Sequence, residues 1–154
     1  MEKLNCTVFE TSEKIESILN DGAVVPVYVS GSSMNPFLIS RRDVVFLKKP
    51  TDSEIRQGAI VLFRRNDGTL VLHRIIKLVS DDAVMVNGDA QTWKETVCKK
   101  QILAVVTEIE RKGVIRKADS TYWNVVNFIW KILTPLRSVI MRVWFKIKRI
   151  RSKK

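Results

Sequence analysis

The spacing of apolar and polar positions divides this 154-residue chain into three parts. Residues 1–22 contain apolar residues three and four positions apart, which is typical of an amphipathic helix, and we expect that helix to begin at Thr11 or Ser12. Residues 23–118 instead carry short β-branched and aromatic runs that turn residues interrupt. A helical period returns in residues 119–154. The pattern therefore predicts a helical lead-in, a β domain and a helical tail with these boundaries.

The middle part contains seven short runs suited to strands, and Asn66-Asp67-Gly68 is a strong hairpin signal between two of them. The runs are residues 24–29, 43–49, 59–65, 70–79, 83–86, 102–110 and 113–116. Short strands at close spacing favour antiparallel pairing. The predicted fold class is therefore mostly β, an antiparallel domain or partial barrel with a short N-terminal helix and a C-terminal amphipathic helical tail.

The tail combines an apolar helical face with many basic residues. The apolar positions at 3.6-residue spacing are Trp123, Val126, Trp130, Leu133, Ile140, Trp144 and Ile147. Pro135 is expected to kink or split this helix. No stretch of about 18 residues is free of charge, so a transmembrane span is not expected. Aromatic residues on one side and Lys and Arg on the other fit a helix in a bilayer interface. Packing of the apolar face onto the β domain is the alternative.

Charge is distributed unevenly along the chain. Residues 1–119 hold all 16 acidic residues and 18 of the 27 Lys and Arg, whereas residues 120–154 hold nine basic residues and no acid. A nearly neutral body with a cationic tail predicts a membrane surface or a nucleic acid as the partner of the tail. The amphipathic spacing of the aromatic residues favours a membrane over nucleic acid, for which scattered stacking platforms are typical. We therefore expect peripheral membrane association through residues 120–154, with the side of the membrane left open.

The two cysteines, Cys6 and Cys98, lie far apart and form no metal-binding motif with the single histidine. We expect two unpaired thiols, no metal site and no cofactor. The first ten residues have no apolar run of signal-peptide length and carry acidic residues early. Neither a cleaved signal nor an N-terminal anchor is therefore expected.

Three residues suited to acyl transfer stand in or next to the predicted strands. Ser33 follows Gly31, which permits a sharp bend, and precedes Pro36, which stiffens the exit from the turn. His73 lies in an apolar run, and an imidazole can take the proton that an attacking serine hydroxyl must lose. Asp89, in a turn after the next run, is suited to orient that ring. Each residue also has a purely structural interpretation, as a polar turn, an ordinary histidine and a β-turn aspartate.

In their order along the chain, these segments resemble the type I signal peptidase family. The matching segments are Ser-Gly-Ser-Ser-Met-Asn-Pro-Phe-Leu (30–38), Arg-Asp-Val-Val-Phe (42–46), Gln-Gly-Ala-Ile-Val-Leu-Phe (57–63), Val-Leu-His-Arg-Ile-Ile-Lys (71–77) and Asn-Gly-Asp (87–89). The similarity covers residues 23–112 and is greatest to the endoplasmic-reticulum and archaeal branch, in which His stands in place of the bacterial catalytic Lys. The self-cleaving domain of LexA-type repressors shares this β fold and is similar in its Gly-x-Ser-Met box.

The resemblance implies a role for each candidate residue. Ser33 would be the nucleophile, His73 the general base and Asp89 the acid. Glu95 is the alternative acid, because the Asn and further acid that usually follow Gly-Asp are missing here. The backbone N–H of Ser33 would hold the oxyanion. Family members bind the peptide as an added strand, with small side chains in shallow pockets before the cut. The other residues implied in oxyanion or substrate binding are Gly31, Ser32, Met34, Val71 and Leu72.

The sequence thus predicts a serine endopeptidase that cleaves signal or leader peptides at a membrane. One alternative is a specialised precursor-processing or self-cleaving peptidase that acts from the cytoplasmic side. A second is a non-enzymatic β module docked to a membrane or, with less support, to nucleic acid. LexA-type repressors use Lys as the base and carry a DNA-binding region before the β domain. Here His73 stands at the base position, and residues 1–22 are too few for a helix-turn-helix domain.

Overall fold

The computed structural model describes residues 8–132 and 136–151. The helices within these residues are α1 (Val8–Asn20), α2 (Thr121–Ile132) and α3 (Arg137–Arg151). The strands are β1 (Val25–Tyr28), β2 (Asp43–Lys48), β3 (Ile60–Arg64), β4 (Leu70–Leu78), β5 (Ala83–Asn87), β6 (Glu95–Cys98), β7 (Ile102–Arg111) and β8 (Val114–Lys117). The predicted mostly-β fold class is confirmed, and each of the seven predicted strands agrees with a strand to within one residue at either end.

The strands form one open antiparallel sheet in the order β1-β2-β7-β3-β4-β5-β6, with β8 beside β7. The predicted hairpin at Asn66-Asp67-Gly68 joins β3 to β4. Strand β4 is long, and its two halves have different neighbours. Strand β3 pairs with Leu70–Arg74, whereas β5 pairs only from Arg74 onward. This arrangement matters for the site, because His73 lies at the boundary between the halves.

Alternating side chains of the sheet bury two separate cores, as expected for strands whose successive residues point to opposite faces. The first core includes Ile15 and Leu19 of α1, Met34 and Leu38 of the loop after β1, and Leu62 of β3. The second core includes the neighbouring residues of β3, together with apolar residues of β4, β5 and β7. Its members are Ile55, Val61, Phe63, Ile75, Val84, Val86, Val97, Ile102 and Val105. The sheet is therefore covered on both faces near its centre.

Asp43 forms a buried ionic centre at the end of the sheet. Its side chain is 0% exposed and accepts hydrogen bonds from Arg42 (2.7 and 2.9 Å), from Arg111 (3.0 and 3.2 Å) and from the Ile39 N–H (2.9 Å). Arg111 also donates to the carbonyl of Phe37. Burial alone would raise the pKa of Asp43, but these hydrogen bonds outweigh it and lower the pKa below its ordinary value of 3.8. The centre ties the loop after β1 to β2 and β7.

The first turn of α2 packs on the β domain. Trp123 is only 4% exposed and belongs to the first core, Val126 packs against that core, and the guanidinium of Arg111 lies 5.3 Å from the centre of the Trp123 ring. The alternative in which the tail packs on the β domain is therefore correct for this face of α2. None of the helices described is long and apolar enough to cross a bilayer.

Helix α1 and strand β6 differ from the sequence expectations. Helix α1 begins at Val8, so its predicted start at Thr11 or Ser12 was too late. Strand β6 was not predicted, because Val97 is its only fully buried residue and the stretch shows little alternation. The thiol of Cys98 is free and exposed. Cys6, Leu133 and the kink predicted at Pro135 lie outside the described residues.

Candidate active site

Ser33 lies on a turn whose neighbouring residues pack in the first core. Gly31 has a φ of +78°, which only glycine adopts readily, and it redirects the chain after β1. The amides of Asn35 and Leu38 then donate to the carbonyls of Ser32 (3.2 Å) and Met34 (2.9 Å). Met34 and Leu38 are buried in the first core, whereas Ser33 is half-buried at its edge. Met34, predicted to line the substrate pocket, thus packs beneath the turn, and its contact with substrate stays a prediction.

The turn that carries Ser33 contains three unpaired amides. Within the described residues, the backbone N–H groups of Gly31, Ser32 and Ser33 donate no hydrogen bond to another protein group. Gly31 and Ser32 are exposed, so their amides remain open to solvent or to a ligand. An oxyanion site requires donors that are free before the reaction and fixed in direction. The three residues predicted to hold the oxyanion therefore carry free donors, and their role in holding it stays a prediction.

His73 is buried in the second core. It pairs with Val61 of β3 and is 1% exposed, and its ring lies 5.9 Å from that of Phe63 and 5.8 Å from that of Trp93, centre to centre. Its Nδ1 lies 3.2 Å from Oε1 of Glu95, although the two groups are not aligned for a hydrogen bond. The imidazole is therefore held by aromatic rings and faces a carboxylate.

The pKa of His73 is lowered from its ordinary value of 6.5. Burial is the main cause, because it penalises the charged imidazolium. The Glu95 carboxylate opposes this effect, and the nearby Arg65 guanidinium adds to it. At neutral pH the ring is consequently uncharged, which is the form that accepts a proton.

Glu95 is in turn fixed by Arg65. The Nε and Nη2 atoms of Arg65 donate to the two oxygens of Glu95 at 2.9 and 2.7 Å, and the guanidinium carbon lies 5.5 Å from the centre of the Trp93 ring. A bidentate pair of this kind orients a carboxylate more firmly than a single hydrogen bond does. Sequence reasoning did not single out Arg65 or Trp93, since neither belongs to the segments that carried the resemblance.

Asp89 makes a different contact from the one predicted for it. Its two oxygens accept hydrogen bonds from Nε and Nη2 of Arg74 at 3.0 and 2.7 Å, and Arg74 also donates to the carbonyl of Gly58 at 3.1 Å. Asp89 therefore anchors the turn after β5 to β4 and to the start of β3. Of the two predicted acids, the alternative Glu95 is the one that faces Nδ1 of His73. Which of them serves as the acid stays a prediction.

The turn of Ser33 docks directly on the end of β5. Asn87, the last residue of β5, pairs with Arg74 of the antiparallel strand β4. The next residue, Gly88, therefore lies at the level of His73. The amide of Ala90 donates to the Ser33 carbonyl at 2.8 Å, and a Cβ atom on Gly88 would lie 2.7 Å from that oxygen. This contact brings the Ser33 turn to the strand pair that carries His73. The described residues show no hydrogen bond between the Ser33 hydroxyl and the imidazole.

Strand β4 leaves one edge open beside these residues. Val71 and Leu72, both half-buried, lie in the half of β4 that pairs with β3, and no described strand pairs with its other edge. Backbone groups on an unpaired edge can accept an additional strand. The position of Val71 and Leu72 is compatible with their predicted part in substrate binding, which stays a prediction.

Comparison with known proteins gives a family match over the same region. Residues 5–109, more than half of the chain, match the family described as Peptidase S24-like. No curated protein and no solved structure matches the chain. The family match supports the predicted relationship at the level of the superfamily that joins LexA-type domains and signal peptidases. The chain therefore belongs to the Peptidase S24-like family and is, at that level, a serine-type peptidase.

Proposed function

We propose that this chain is a serine endopeptidase that cleaves signal or leader peptides, with Ser33 as the nucleophile and His73 as the general base. The observation that supports this most is the docking of the Ser33 carbonyl on the Gly88–Ala90 turn. That contact joins the half-buried Ser33 turn to the end of β5, which pairs with the strand that carries the buried His73. A serine hydroxyl is a weak nucleophile without a base, so its activation requires a neutral base close to it.

The proposed reaction uses the imidazole twice. His73 accepts the proton of Ser33 Oγ as that oxygen attacks the peptide carbonyl, and the imidazolium then protonates the departing amine. Water then attacks the acyl group on Ser33 Oγ. His73 accepts the proton of that water and returns it to Ser33 Oγ as the acyl group leaves. Catalytic hydrogen bonds are often formed only when substrate binds, so we expect the hydroxyl and the ring to meet in the complex. The Ser33 N–H would stabilise the oxyanion, with Gly31 or Ser32 assisting.

Glu95 is the better placed of the two acids for the imidazolium. Its Oε1 lies 3.2 Å from Nδ1 of His73 and also accepts from Arg65, whereas the hydrogen bonds described for Asp89 come from Arg74. A carboxylate in this position stabilises the charged ring that forms during the reaction. Arg65 would hold Glu95 in place. Asp89 would act on the site through its charge, which raises the pKa of His73, and through the turn that carries the Ser33 contact.

The substrate is proposed to bind as an extended strand on the open edge of β4. Main-chain hydrogen bonds to residues 70–72 would fix the peptide, and its side chains would supply the specificity. The preference for small residues before the cut comes from the resemblance to signal peptidases. An extended, unfolded leader segment has the conformation that this edge requires.

The proposal is tested by incubating the purified chain with two synthetic peptides and analysing the products by mass spectrometry. One peptide carries a leader cleavage site of the Ala-x-Ala type, and the other has Leu in place of both Ala residues. We expect a single cut directly after the Ala-x-Ala segment and at least tenfold lower kcat/KM for the Leu peptide. Equal cleavage of both peptides would exclude the proposed specificity. Cleavage of the chain itself, with no cut in either peptide, would support the self-cleaving function that the family match also admits.

The pH dependence of cleavage should report the neutral imidazole. We expect kcat/KM to rise with pH, with the midpoint of the rise below pH 6.5, because the pKa of His73 is lowered from that value. Glu95→Gln removes the carboxylate that raises the pKa of His73. The increase of kcat/KM with pH should therefore move to lower pH. The same change should lower kcat at its plateau at least tenfold, about 1.4 kcal/mol in the barrier, because the imidazolium loses its partner.

The matched control for this pH experiment is Glu13→Gln, which removes an exposed carboxylate on α1. It should leave both the pH profile and the plateau unchanged. A profile of Glu95→Gln that coincides with that of the unmodified chain would contradict the role given to Glu95. If the pH profile shifts in Asp89→Asn and not in Glu95→Gln, the role of the acid belongs to Asp89.

A further inference from the structure

Helices α2 and α3 each expose an apolar stripe. The exposed apolar side chains are 48–65% accessible, a concentration well beyond the single apolar residues found on most surfaces. They are Tyr122, Val125, Phe128, Ile129 and Ile132 on α2, Leu136 just before α3, and Val139, Val143, Ile147 and Ile150 on α3. Within α3 the spacing of four, four and three residues places them along one line of the helix.

The exposed stripes lie opposite the residues that these helices bury. On α2, Ile132 is nine residues from the buried Trp123, which corresponds to roughly 180° around a helix. On α3, Ile150 stands in the same relation to Met141, which is 5% exposed. Packing of α2 on the first core through Trp123 therefore leaves its exposed stripe uncovered. The apolar character of these stripes is not explained by the fold of the β domain.

Basic residues border the stripe of α3. Arg142, Lys146 and Arg149 are exposed and lie three and four residues apart, roughly 90° around the helix from the line through Val143 and Ile147. Residues 120–154 contain nine basic residues and no acid. A surface that buries this stripe must therefore also accept an array of positive charge next to it.

Charge complementarity selects among the surfaces that could cover the stripes. A second copy of the chain would bring its own basic residues against these, and the repulsion would oppose dimerisation. Nucleic acid would satisfy the charges but leave the apolar stripes in water. An anionic bilayer provides acyl chains for the stripes and negative headgroups for the bordering Lys and Arg.

We propose that α2 and α3 form a docking surface for an anionic lipid bilayer, in which the two exposed stripes enter the interface and the opposite face of α2 holds the β domain. The helices lie in the plane of the interface. This docking does not rest on the proposed peptidase function. The apolar positions first expected to face the membrane included Trp123 and Val126, and these instead attach α2 to the β domain.

The test uses the full chain in co-sedimentation with vesicles of phosphatidylcholine alone and with 30% phosphatidylserine. We expect binding to the anionic vesicles and little binding to the neutral ones. The triple variant Arg142→Gln/Lys146→Gln/Arg149→Gln should lower the partition coefficient roughly 100-fold, about fivefold for each charge. Val143→Gln/Ile147→Gln, which keeps the charge, should lower it at least tenfold, because two apolar side chains no longer enter the interface.

Two control variants match these changes elsewhere on the surface. Arg56→Gln/Lys77→Gln/Lys100→Gln removes three exposed charges of the β domain, and Val114→Gln/Ile115→Gln removes two exposed apolar residues of β8. Both should bind vesicles like the unmodified chain, and circular dichroism should show every variant folded. Equal losses in the control and tail variants would overturn the proposal, as would the absence of vesicle binding. A dimer in sedimentation equilibrium that Val143→Gln/Ile147→Gln dissociates, without vesicle binding, would assign the surface to a second copy.

Discussion

Ser33→Ala should lower kcat/KM for a leader peptide by on the order of 10⁴-fold or more, since no other hydroxyl is expected to take its place as nucleophile. His73→Asn should lower it by about 10²–10⁴-fold, because the hydroxyl then loses its base while the buried site keeps a polar side chain of similar shape. The two changes together should cost little more than Ser33→Ala alone, because groups that act as a unit are not additive. Steady-state cleavage kinetics with a fluorogenic peptide measure all three.

Ser30→Ala is the matched control for this experiment. Ser30 is an exposed serine that precedes Gly31 in the same loop, and nothing assigns it to the reaction. Its removal should leave kcat/KM within about twofold of the unmodified chain, because surface substitutions of this kind have small effects. Turnover retained in either Ser33→Ala or His73→Asn, with an unchanged thermal unfolding curve, would exclude the proposed mechanism.

Asp43→Asn should destabilise the fold by about 3 kcal/mol, at the lower end of the range for a broken buried ion pair. The carboxylate is fully buried between Arg42 and Arg111, and asparagine would leave both guanidinium groups without their counter-charge. Because the two arginines are 32% and 25% exposed, solvent compensates part of this loss. Denaturant unfolding at pH 7 measures the difference. Asp21→Asn, at an exposed position directly after α1, should change the free energy of unfolding by less than about 0.5 kcal/mol.

The effect of Asp43→Asn should depend on pH in a defined direction. The folded-state pKa of Asp43 is lowered below 3.8, so its stabilisation is fully present above that pH and is lost as pH falls through the folded-state pKa. The stability difference between the two proteins should therefore remain constant from pH 7 to about pH 5 and shrink below pH 4. A difference that stays the same down to pH 2 would show that the charge of Asp43 contributes nothing.

The strands could be predicted from the sequence because the signals that define a strand are local. Each β-branched run lies between turn residues, and hairpin signals such as Asn66-Asp67-Gly68 fix the connections. Strand β6 was missed for the same reason, since Glu95–Cys98 has too few buried positions to show a period. The order of strands in the sheet, which separates β2 from β3 by β7, depends on contacts far apart in sequence and was not predicted.

The acid of the site shows where sequence order stops being informative. His73 and Arg74 are neighbours in β4, so their side chains point to opposite faces of the sheet. Asp89 is on the face of Arg74, and Glu95 is on the face of His73. The order of residues along one strand does not determine on which face of the sheet a carboxylate from a later segment lies. The tail illustrates a similar limit, because α2 is apolar on two opposite faces and the helical period alone does not distinguish the packed face from the exposed one.

The close contact at Gly88 has a consequence for recognising active relatives of this chain in genomes. A β-carbon at this position would lie 2.7 Å from the Ser33 carbonyl oxygen, so with any other residue either the Ser33 turn or the Gly88 turn must shift. A homologue could keep the serine, the histidine and the whole sheet and still be a pseudoenzyme if this glycine were replaced. Position 88 thus offers a criterion, independent of the proposed catalytic residues Ser33 and His73, for separating working peptidases from chains that have retained only the scaffold.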